Sequence, residues 1–223
     1  MGFIEYTTGI QPDVFDKDDA YSKLQGTRDG AAFSADWVLA RCLEGRVFAG
    51  NLGSATGPAT LSAGSADTTE FDYFMSVPSG TTVIPLEIVI YMETWGTNGI
   101  AEVLGVVGAS GVTGAGTSVT PVNLRRDAPF ASLCTVTGAA TATSATAITG
   151  VEFLRDGHQT AQTPATALAT GSKLQNKFVW SHKSAGYAPV IVGAGQLGLV
   201  CSTVSGTGFI TVVWAELPST RIV

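Results

Sequence analysis

Residues 190–198 read VIVGAGQLG, and this stretch decides between two fold classes. Within it, 193-GAGQLG-198 has the G-x-G-x-x-G spacing with which many dinucleotide-binding proteins hold a pyrophosphate. Glu216 follows at about the distance where such proteins place the acidic residue that binds a ribose hydroxyl. On the spacing alone, the segment would indicate a dinucleotide-binding enzyme.

A dinucleotide site also needs a helix directly after the glycines, because the free N–H groups of its first turn bind the phosphates. The segment that follows, LVCSTVSGTG at 199–208, is poor helix material, with β-branched residues, Ser and Gly but no Ala, Glu, Lys or Arg. Alternation fits better, since one strand face would collect Leu197, Leu199, Cys201 and Thr203. The sequence therefore favours β-hairpins, with Gly193 and Gly195 in a turn and Gly198 inside the next strand, and leaves the dinucleotide enzyme as a remote alternative.

The chain from Asp36 onward consists of short runs rich in β-branched and aromatic residues, separated by Gly, Ser, Asn and Pro. Examples are WVLARCLEGRVFA at 37–49, TVIPLEIVIYMETW at 82–95 and GFITVVWAEL at 208–217. We find no long amphipathic helix between them. Many strands without intervening helices predict an all-β fold, an antiparallel sandwich or barrel.

The central run shows how a sandwich would be built, because its side chains alternate between two faces. The predicted core face consists of Ile84, Leu86, Ile88, Ile90 and Met92. The predicted outer face consists of Glu87, Val89, Tyr91, Glu93 and Trp95. Pro85 cannot donate to a sheet ladder, so we expect this strand to start at an edge or just after one.

The composition indicates that part of the surface is covered by neighbouring molecules. Only 13% of the 223 residues are charged, whereas 45% are apolar. The run GFITVVWAEL is apolar on both faces and so needs cover from the core and from something outside it. These observations favour self-association.

The chain divides into an N-terminal arm, residues 1–35, and a single β domain, residues 36–223. The arm has little periodic apolar pattern, and its acidic cluster DVFDKDD lacks the glycine and the distal Glu of a calcium loop. The N-terminus has no secretory pattern, so we expect folding in a cytosol. Residues 184–215 contain no charge, but Gly, Ser, Thr and Pro interrupt them too often for a membrane helix.

Several classes of chemistry find no support in the sequence. The net charge is −6 and only Arg125 and Arg126 stand together, which argues against direct nucleic-acid binding. The three cysteines, Cys42, Cys134 and Cys201, suit neither a disulfide framework nor a metal site, and we expect buried apolar thiols. His158 and His182 are not part of any catalytic motif. We therefore assign no catalytic, cofactor-binding or metal-binding residue and expect a protein that is not an enzyme.

Carbohydrate binding remains an alternative function. Tyr91 and Trp95 share the predicted outer face with Glu87 and Glu93, and aromatic rings beside carboxylates suit stacking on a sugar and binding of its hydroxyls. Glu87 and Glu93 would lie roughly 20 Å apart along one strand, too far to form a glycosidase pair. A carbohydrate-binding module or glycan-directed adhesin is the corresponding hypothesis.

The runs SVPSGTTVIPLEIVIYMET at 76–94 and GTGFITVVWAEL at 206–217 carry a family resemblance. Together with the polar arm and the Gly/Thr/Ala-rich loops, they resemble strands of jelly-roll proteins of virus particles, especially bacteriophage capsid-associated proteins. The resemblance covers about residues 36–218. It implies an antiparallel jelly-roll-like β-sandwich with an extended N-terminal arm, located in the virion as a capsid, cement (decoration) or spike subunit. It also implies assembly into a homotrimer or a larger ring, contacts with other virion proteins, and arms that reach over neighbouring subunits.

Overall fold

A computed structural model describes residues 36–61, 71–94, 100–109, 115–142, 150–159, 177–201 and 206–219. The predictions for the N-terminal arm, residues 1–35, lie outside the described residues. The elements follow one another in the order α1 (Trp37–Leu43), β1 (Val47–Leu52), β2 (Ala59–Leu61), β3 (Tyr73–Val77), β4 (Thr81–Thr94), β5 (Ile100–Ala109), β6 (Ala115–Val119), β7 (Val122–Asn123), β8 (Thr135–Ala142), β9 (Gly150–Gln159), β10 (Lys177–Ser181), α2 (His182–Ala185), β11 (Ile191–Val192), β12 (Gly195–Cys201) and β13 (Gly206–Pro218).

The strands form two antiparallel sheets, which confirms the predicted all-β sandwich. The first sheet has the order β10-β4-β13-β1-β7, with β11 also beside β4 and β2 also beside β13. The second sheet has the order β6-β8-β3-β12-β5-β9. The main core lies between them, where Trp214, Ile210 and Phe48 of the first sheet meet Tyr73 and Leu197 of the second. Each of these five side chains is almost completely buried.

Strand pairing in the two sheets is nested along the chain. In the first sheet β1 pairs with β13 and β4 pairs with β10. In the second sheet β3 pairs with β12 and β5 pairs with β9. Two further pairings, of β13 with β4 and of β12 with β5, join these pairs into continuous sheets. Strands β6, β7 and β8 are inserted between β5 and β9 and widen both sheets on one side.

The faces of β4 differ from the predicted alternation, because the strand contains a bulge. Val213 lies opposite Glu87 but Trp214 lies opposite Pro85, so Leu86 is an extra residue in the ladder. Beyond the bulge, Ile88, Ile90 and Met92 enter the main core as predicted. Before it, Ile84 and Leu86 contribute to a separate cluster on the other face, which also contains Val38 and Cys42 of α1. The prediction of one continuous core face is therefore wrong for the first two of its five residues.

Pro85 lies inside β4, a strand with neighbours on both sides, and not at its start. On one side β11 pairs with Thr82 and Val83, whereas β10 pairs with residues 87–91, so residues 84–86 fall between these two neighbours. The helix α2 connects β10 to β11 along the chain. Nδ1 of its His182 donates to the Leu86 carbonyl at 3.0 Å. Because no strand pairs with residues 84–86 on this side, Pro85 fits there although it has no backbone N–H to donate.

The first part of WVLARCLEGRVFA is a helix, whereas the sequence predicted a strand. Asp36 caps α1 by accepting a hydrogen bond from the Val38 N–H at 2.8 Å. Arg41 pairs with Glu44 at 2.6 Å within the helical turn. Gly45 follows with a φ of 69° and turns the chain into β1.

Strand β13 is covered on both faces, as its apolar pattern requires. Ile210 and Val212 lie in the main core. On the other face Val213 and Ala215 pack in the cluster that includes residues of α1, so part of the outer cover comes from the chain itself. Phe209 on the same face is only half-buried. The sequence predicts that a neighbouring molecule covers the outer face of β13. In the structure this cover is required only over the part of that face that α1 does not contact.

The stretch VIVGAGQLG consists of a strand, a turn and a strand, and Gly198 lies inside β12 as predicted. The predicted hairpin is wrong, because β11 belongs to the first sheet and β12 to the second. The turn connects the first sheet to the second and lies against the backbone of the β3–β4 connection. A Cβ on Gly193 would lie 1.9 Å from the Pro78 carbonyl oxygen of that connection. Gly198 lies under the ring of Phe71, which leaves no room for a side chain. The segment after these glycines is a strand, so the helix that a dinucleotide site requires is not formed there.

Candidate functional site

The predicted outer face of β4 is formed over Glu87, Val89 and Tyr91, and it is accessible. A second bulge follows, because Gly208 lies opposite Met92 and Thr207 lies opposite Thr94, so the exposed Glu93 is an extra residue in the ladder. Residue pairing places Tyr91 beside Phe209 of β13, and Val89 beside Val179 of β10. Trp95, the second aromatic residue of the glycan hypothesis, lies outside the described residues. We call this surface the Tyr91 face and define it as Glu87, Val89, Tyr91, Glu93, Val179 and Phe209.

The Tyr91 face combines an apolar centre with two free carboxylates. The Tyr91 side chain is 42% exposed and its ring centroid lies 6.3 Å from that of Phe209. Val179 is also exposed. Glu87 and Glu93 point outward, and no ion-pair partner for either carboxylate lies among the residues that the structure describes. This arrangement can bind a partner that offers both apolar groups and cations.

A second surface was missed in the sequence, which drew attention only to the adjacent arginines Arg125 and Arg126. Residues 122–133, which we call the Arg126 loop, run from β7 towards β8. The side chain of Asn123 donates to the carbonyl oxygens of Gly45 at 2.8 Å and of Phe130 at 3.0 Å. Arg125 donates to the Leu43 carbonyl oxygen at 2.6 Å. These bonds fix the loop against the turn between α1 and β1.

The Arg126 loop exposes apolar side chains beside positive charges. Phe130 is 43% exposed and Leu133 is 66% exposed. The Arg46 guanidinium stacks 4.3 Å from the Phe130 ring centroid. Arg125 pairs with Asp127 at 2.9 Å and lowers the pKa of that carboxyl. Arg126 is exposed, and no anionic partner for Arg126 or Arg46 is found in the described part of the chain.

Glu216 is a buried structural group and not an exposed ribose-binding residue. Its carboxylate accepts hydrogen bonds from the Ser132 hydroxyl, from the Leu133 N–H at 3.0 Å and from the Trp214 indole N–H at 2.8 Å. The residue is only 4% exposed. Because Ser132 and Leu133 belong to the Arg126 loop, the carboxylate ties the end of that loop to β13.

The cysteines are thiols, and two of the three are buried as predicted. Cys134 and Cys201 are buried, whereas Cys42 on α1 is half-buried. Burial raises the pKa of all three thiols, and the carboxylates of Glu216 and Asp72 add to this effect at Cys134 and Cys201 respectively. Since the thiolate is the reactive form, all three should react slowly in the folded protein.

We expect Cys42 to be alkylated before Cys134 and Cys201. A short pulse of iodoacetamide, read by peptide mass spectrometry, should label Cys42 first, and the other two should be labelled at comparable rates only in urea. The Cys42→Ser variant is the control and should show almost no labelling in the native pulse. Faster native labelling of Cys134 than of Cys42 would contradict the burial described here.

The Tyr73 hydroxyl is buried in the main core and has no hydrogen-bond partner among the described residues. Burial raises the pKa of this group, so it is a neutral donor that is left unpaired. Replacing Tyr73 with Phe should therefore increase the free energy of unfolding by about 1 kcal/mol, measured by urea denaturation.

The matched control for this change is Tyr187→Phe. The exposed Tyr187 hydroxyl donates to the Phe153 carbonyl at 2.9 Å, so its removal should leave stability unchanged or slightly lower. A loss of stability in Tyr73→Phe equal to that in Tyr187→Phe would show that the buried hydroxyl is satisfied.

The two histidines and the possible metal ligands are singled out in the sequence as candidates for chemistry. His182 is bound to the Leu86 carbonyl, and the His158 side chain lies outside the described set. No group of three or more His, Cys, Asp or Glu residues within the described ranges could hold a metal ion. Neither described helix is long and apolar enough to cross a membrane.

The chain matches no family model, no curated protein and no solved structure. The fold and the two surfaces therefore define a class only: an antiparallel β-sandwich with one acidic and one basic exposed surface, each containing apolar side chains.

Proposed function

We propose that this protein is a virion structural protein with a jelly-roll fold, a capsid, cement (decoration) or spike subunit. It acts through contacts between subunits, in a homotrimer or a larger assembly with other virion proteins, and not as an enzyme. It folds in the host cytoplasm and binds neither nucleic acid nor membrane directly. No cofactor takes part in this function.

The nested strand pairing is the observation that carries the proposal. A jelly roll forms when a long antiparallel hairpin of eight strands rolls up, so the first strand pairs with the eighth, the second with the seventh, and so on inward. The pairs β1·β13, β3·β12, β4·β10 and β5·β9 follow this order. Jelly rolls of this kind are common in viral capsid and lectin domains.

The exposed apolar side chains favour an assembly of several subunits over an isolated monomer. Large apolar residues of the Tyr91 face and of the Arg126 loop are more than a third exposed in the single chain. Protein interfaces typically combine such side chains, especially aromatic ones, with arginine. A chain with only 13% charged residues has little polar surface with which to separate these groups.

Native mass spectrometry and electron microscopy of the purified protein test the proposal. We expect closed oligomers of one size, trimers or larger, at micromolar concentration. A monodisperse monomer at high concentration, with no tendency to assemble, would overturn it.

Glycan binding is the second candidate, because lectin domains share this fold class and Tyr91 lies exposed between two carboxylates. A glycan array with the wild type and the Tyr91→Ala and Trp95→Ala variants decides the question. Binding that both variants lose supports the adhesin hypothesis, and absence of binding by the wild type removes it.

The remote alternative is a dinucleotide enzyme. It predicts that NAD, NADP or FAD raises the thermal midpoint of the protein.

A further inference from the structure

The two surfaces described above carry opposite charges. On the Tyr91 face, Glu87 and Glu93 are exposed carboxylates with no ion-pair partner among the described residues. At the Arg126 loop, the guanidiniums of Arg46 and Arg126 are likewise without anionic partners within those ranges. The Tyr91 face also carries Lys177, which lies opposite Tyr91, so the charges that match between the two surfaces are the carboxylates of Glu87 and Glu93 and the guanidiniums of Arg46 and Arg126.

One molecule cannot bring its own two surfaces together. The Tyr91 face centres on β4, whereas the Arg126 loop begins at β7, and β13 and β1 lie between these strands in the first sheet. At the usual strand spacing, β4 and β7 are roughly 14 Å apart, and they are held in one rigid sheet. Contact between the surfaces must therefore join two copies of the chain.

The apolar parts of the two surfaces also match in kind. Tyr91, Phe209 and Val179 form the centre of one surface, and Phe130 and Leu133 are exposed on the other. Exposed aromatic and aliphatic side chains flanked by arginine are typical of the energetically important centre of an interface. The carboxylate of the buried Glu216 accepts a hydrogen bond from the Leu133 N–H and holds Leu133 in place. The basic surface is therefore already formed in the single subunit.

We propose that the Tyr91 face of one subunit binds the Arg126 loop of the next, with Glu87 and Glu93 facing Arg46 and Arg126. This inference rests on the proposed function, because it names the contact through which the subunits assemble. In the trimer or larger ring proposed above, this contact between two different surfaces repeats head to tail and closes when the rotation between subunits closes. The partner is a second copy of this chain.

Charge reversal with complementary mixing tests the contact. The face variant is Glu87→Lys with Glu93→Lys, and the loop variant is Arg126→Glu, with Arg46 kept because it stacks over Phe130. Each variant alone should assemble at least about tenfold more weakly than the wild type in sedimentation velocity, because like charges then face each other. A single chain that carries all three changes should recover most of the loss, because each reversed face then meets a reversed loop. An equimolar mixture of the two variants should recover it only in a ring with an even number of subunits, because the variants must alternate around the ring.

Two controls separate the contact from unspecific effects of charge and folding. Glu152→Lys with Asp156→Lys on β9 adds the same four units of positive charge as the face variant, but away from both surfaces, and should leave assembly unchanged. Far-UV circular dichroism and the thermal midpoint verify that each variant folds. If a reversed variant does not fold, the neutral variants Glu87→Gln with Glu93→Gln, and Arg126→Gln, replace it and should weaken assembly less.

The outcomes distinguish this inference from the proposed function. If the wild type does not assemble, both fail. If it assembles but the reversals have no effect, or if the combined chain does not recover assembly, only the contact proposed here is overturned. Recovery by the combined chain supports it.

Discussion

Replacing Glu216 with alanine is expected to lower the free energy of unfolding by about 3 kcal/mol, the largest loss that we predict from one polar side chain. The change leaves the Ser132 hydroxyl, the Leu133 N–H and the Trp214 indole N–H without their common acceptor. Each buried donor that loses its partner costs about 1–3 kcal/mol, and removal of a buried charge offsets part of that cost. Urea denaturation of a dilute, unassembled sample measures the effect.

The matched control is Glu216→Gln, which keeps the size of the side chain and one acceptor oxygen. It should lose less stability than alanine, because part of the hydrogen bonding survives. Since Glu216 also holds the Arg126 loop, the alanine variant should show faster amide hydrogen exchange at Leu133. A loss below about 1 kcal/mol in Glu216→Ala would indicate that the three donors find other partners.

Gly50→Ala should be the second most damaging change, with a loss of about 2–3 kcal/mol. Gly50 is the core-facing residue of β1 between Phe48 and Leu52, and a Cβ there would lie 2.3 Å from the Tyr73 hydroxyl oxygen and 3.2 Å from the Trp214 ring. Both neighbours are fully buried and cannot move outward without displacing the core. The expected cost is that of an overpacked core, measured by urea denaturation.

A double-mutant cycle isolates the cause of this loss. In the Gly50→Ala background, Tyr73→Phe removes the atom that a Cβ would meet first, so it should recover clearly more stability than it adds to the wild type. If the gain from Tyr73→Phe is the same in both backgrounds, the hydroxyl is not the obstacle and the Trp214 ring is.

The fold class could be predicted from sequence because strand signals are local. β-branched runs between Gly, Ser and Pro have little alternative to strand structure, and the segment after Gly198 could be excluded as a helix on propensity alone. The sheet to which each strand belongs could not be predicted in this way. The hairpin expected at Gly193 and Gly195 fails for this reason, since a turn between sheets and a turn within one sheet use the same residues.

Two further errors, the core face of β4 and the helix at α1, have separate physical causes. A bulge changes the face on which residues lie without changing their types, so Ile84 and Leu86 remain apolar while they pack against α1. A short apolar run such as WVLARCL fits a helix or a strand equally well. The signals that could have identified the helix were Asp36 as a capping residue and Gly45 as a terminating one.

The candidate surfaces differ in how far sequence could reveal them. Glu87 and Tyr91 of the acidic surface lie on one strand, so alternation alone places them together, whereas Glu93 is an extra residue at a bulge that alternation does not predict. The basic surface combines Arg46 with the Arg126 loop, and Arg46 and Phe130, which are distant in sequence, meet because β7 pairs with β1. No local pattern indicates such a combination.

The position of β13 also has a consequence for synthesis of the protein. This strand lies between β4 and β1, and Trp214 pairs with Phe48, near the other end of the described chain. Residues 206–218 must therefore leave the ribosome before the first sheet can close, and until then the β1 and β4 edges that pair with β13 stay exposed. Such contacts between distant segments also slow folding, and nascent chains of this kind are candidates for chaperone binding.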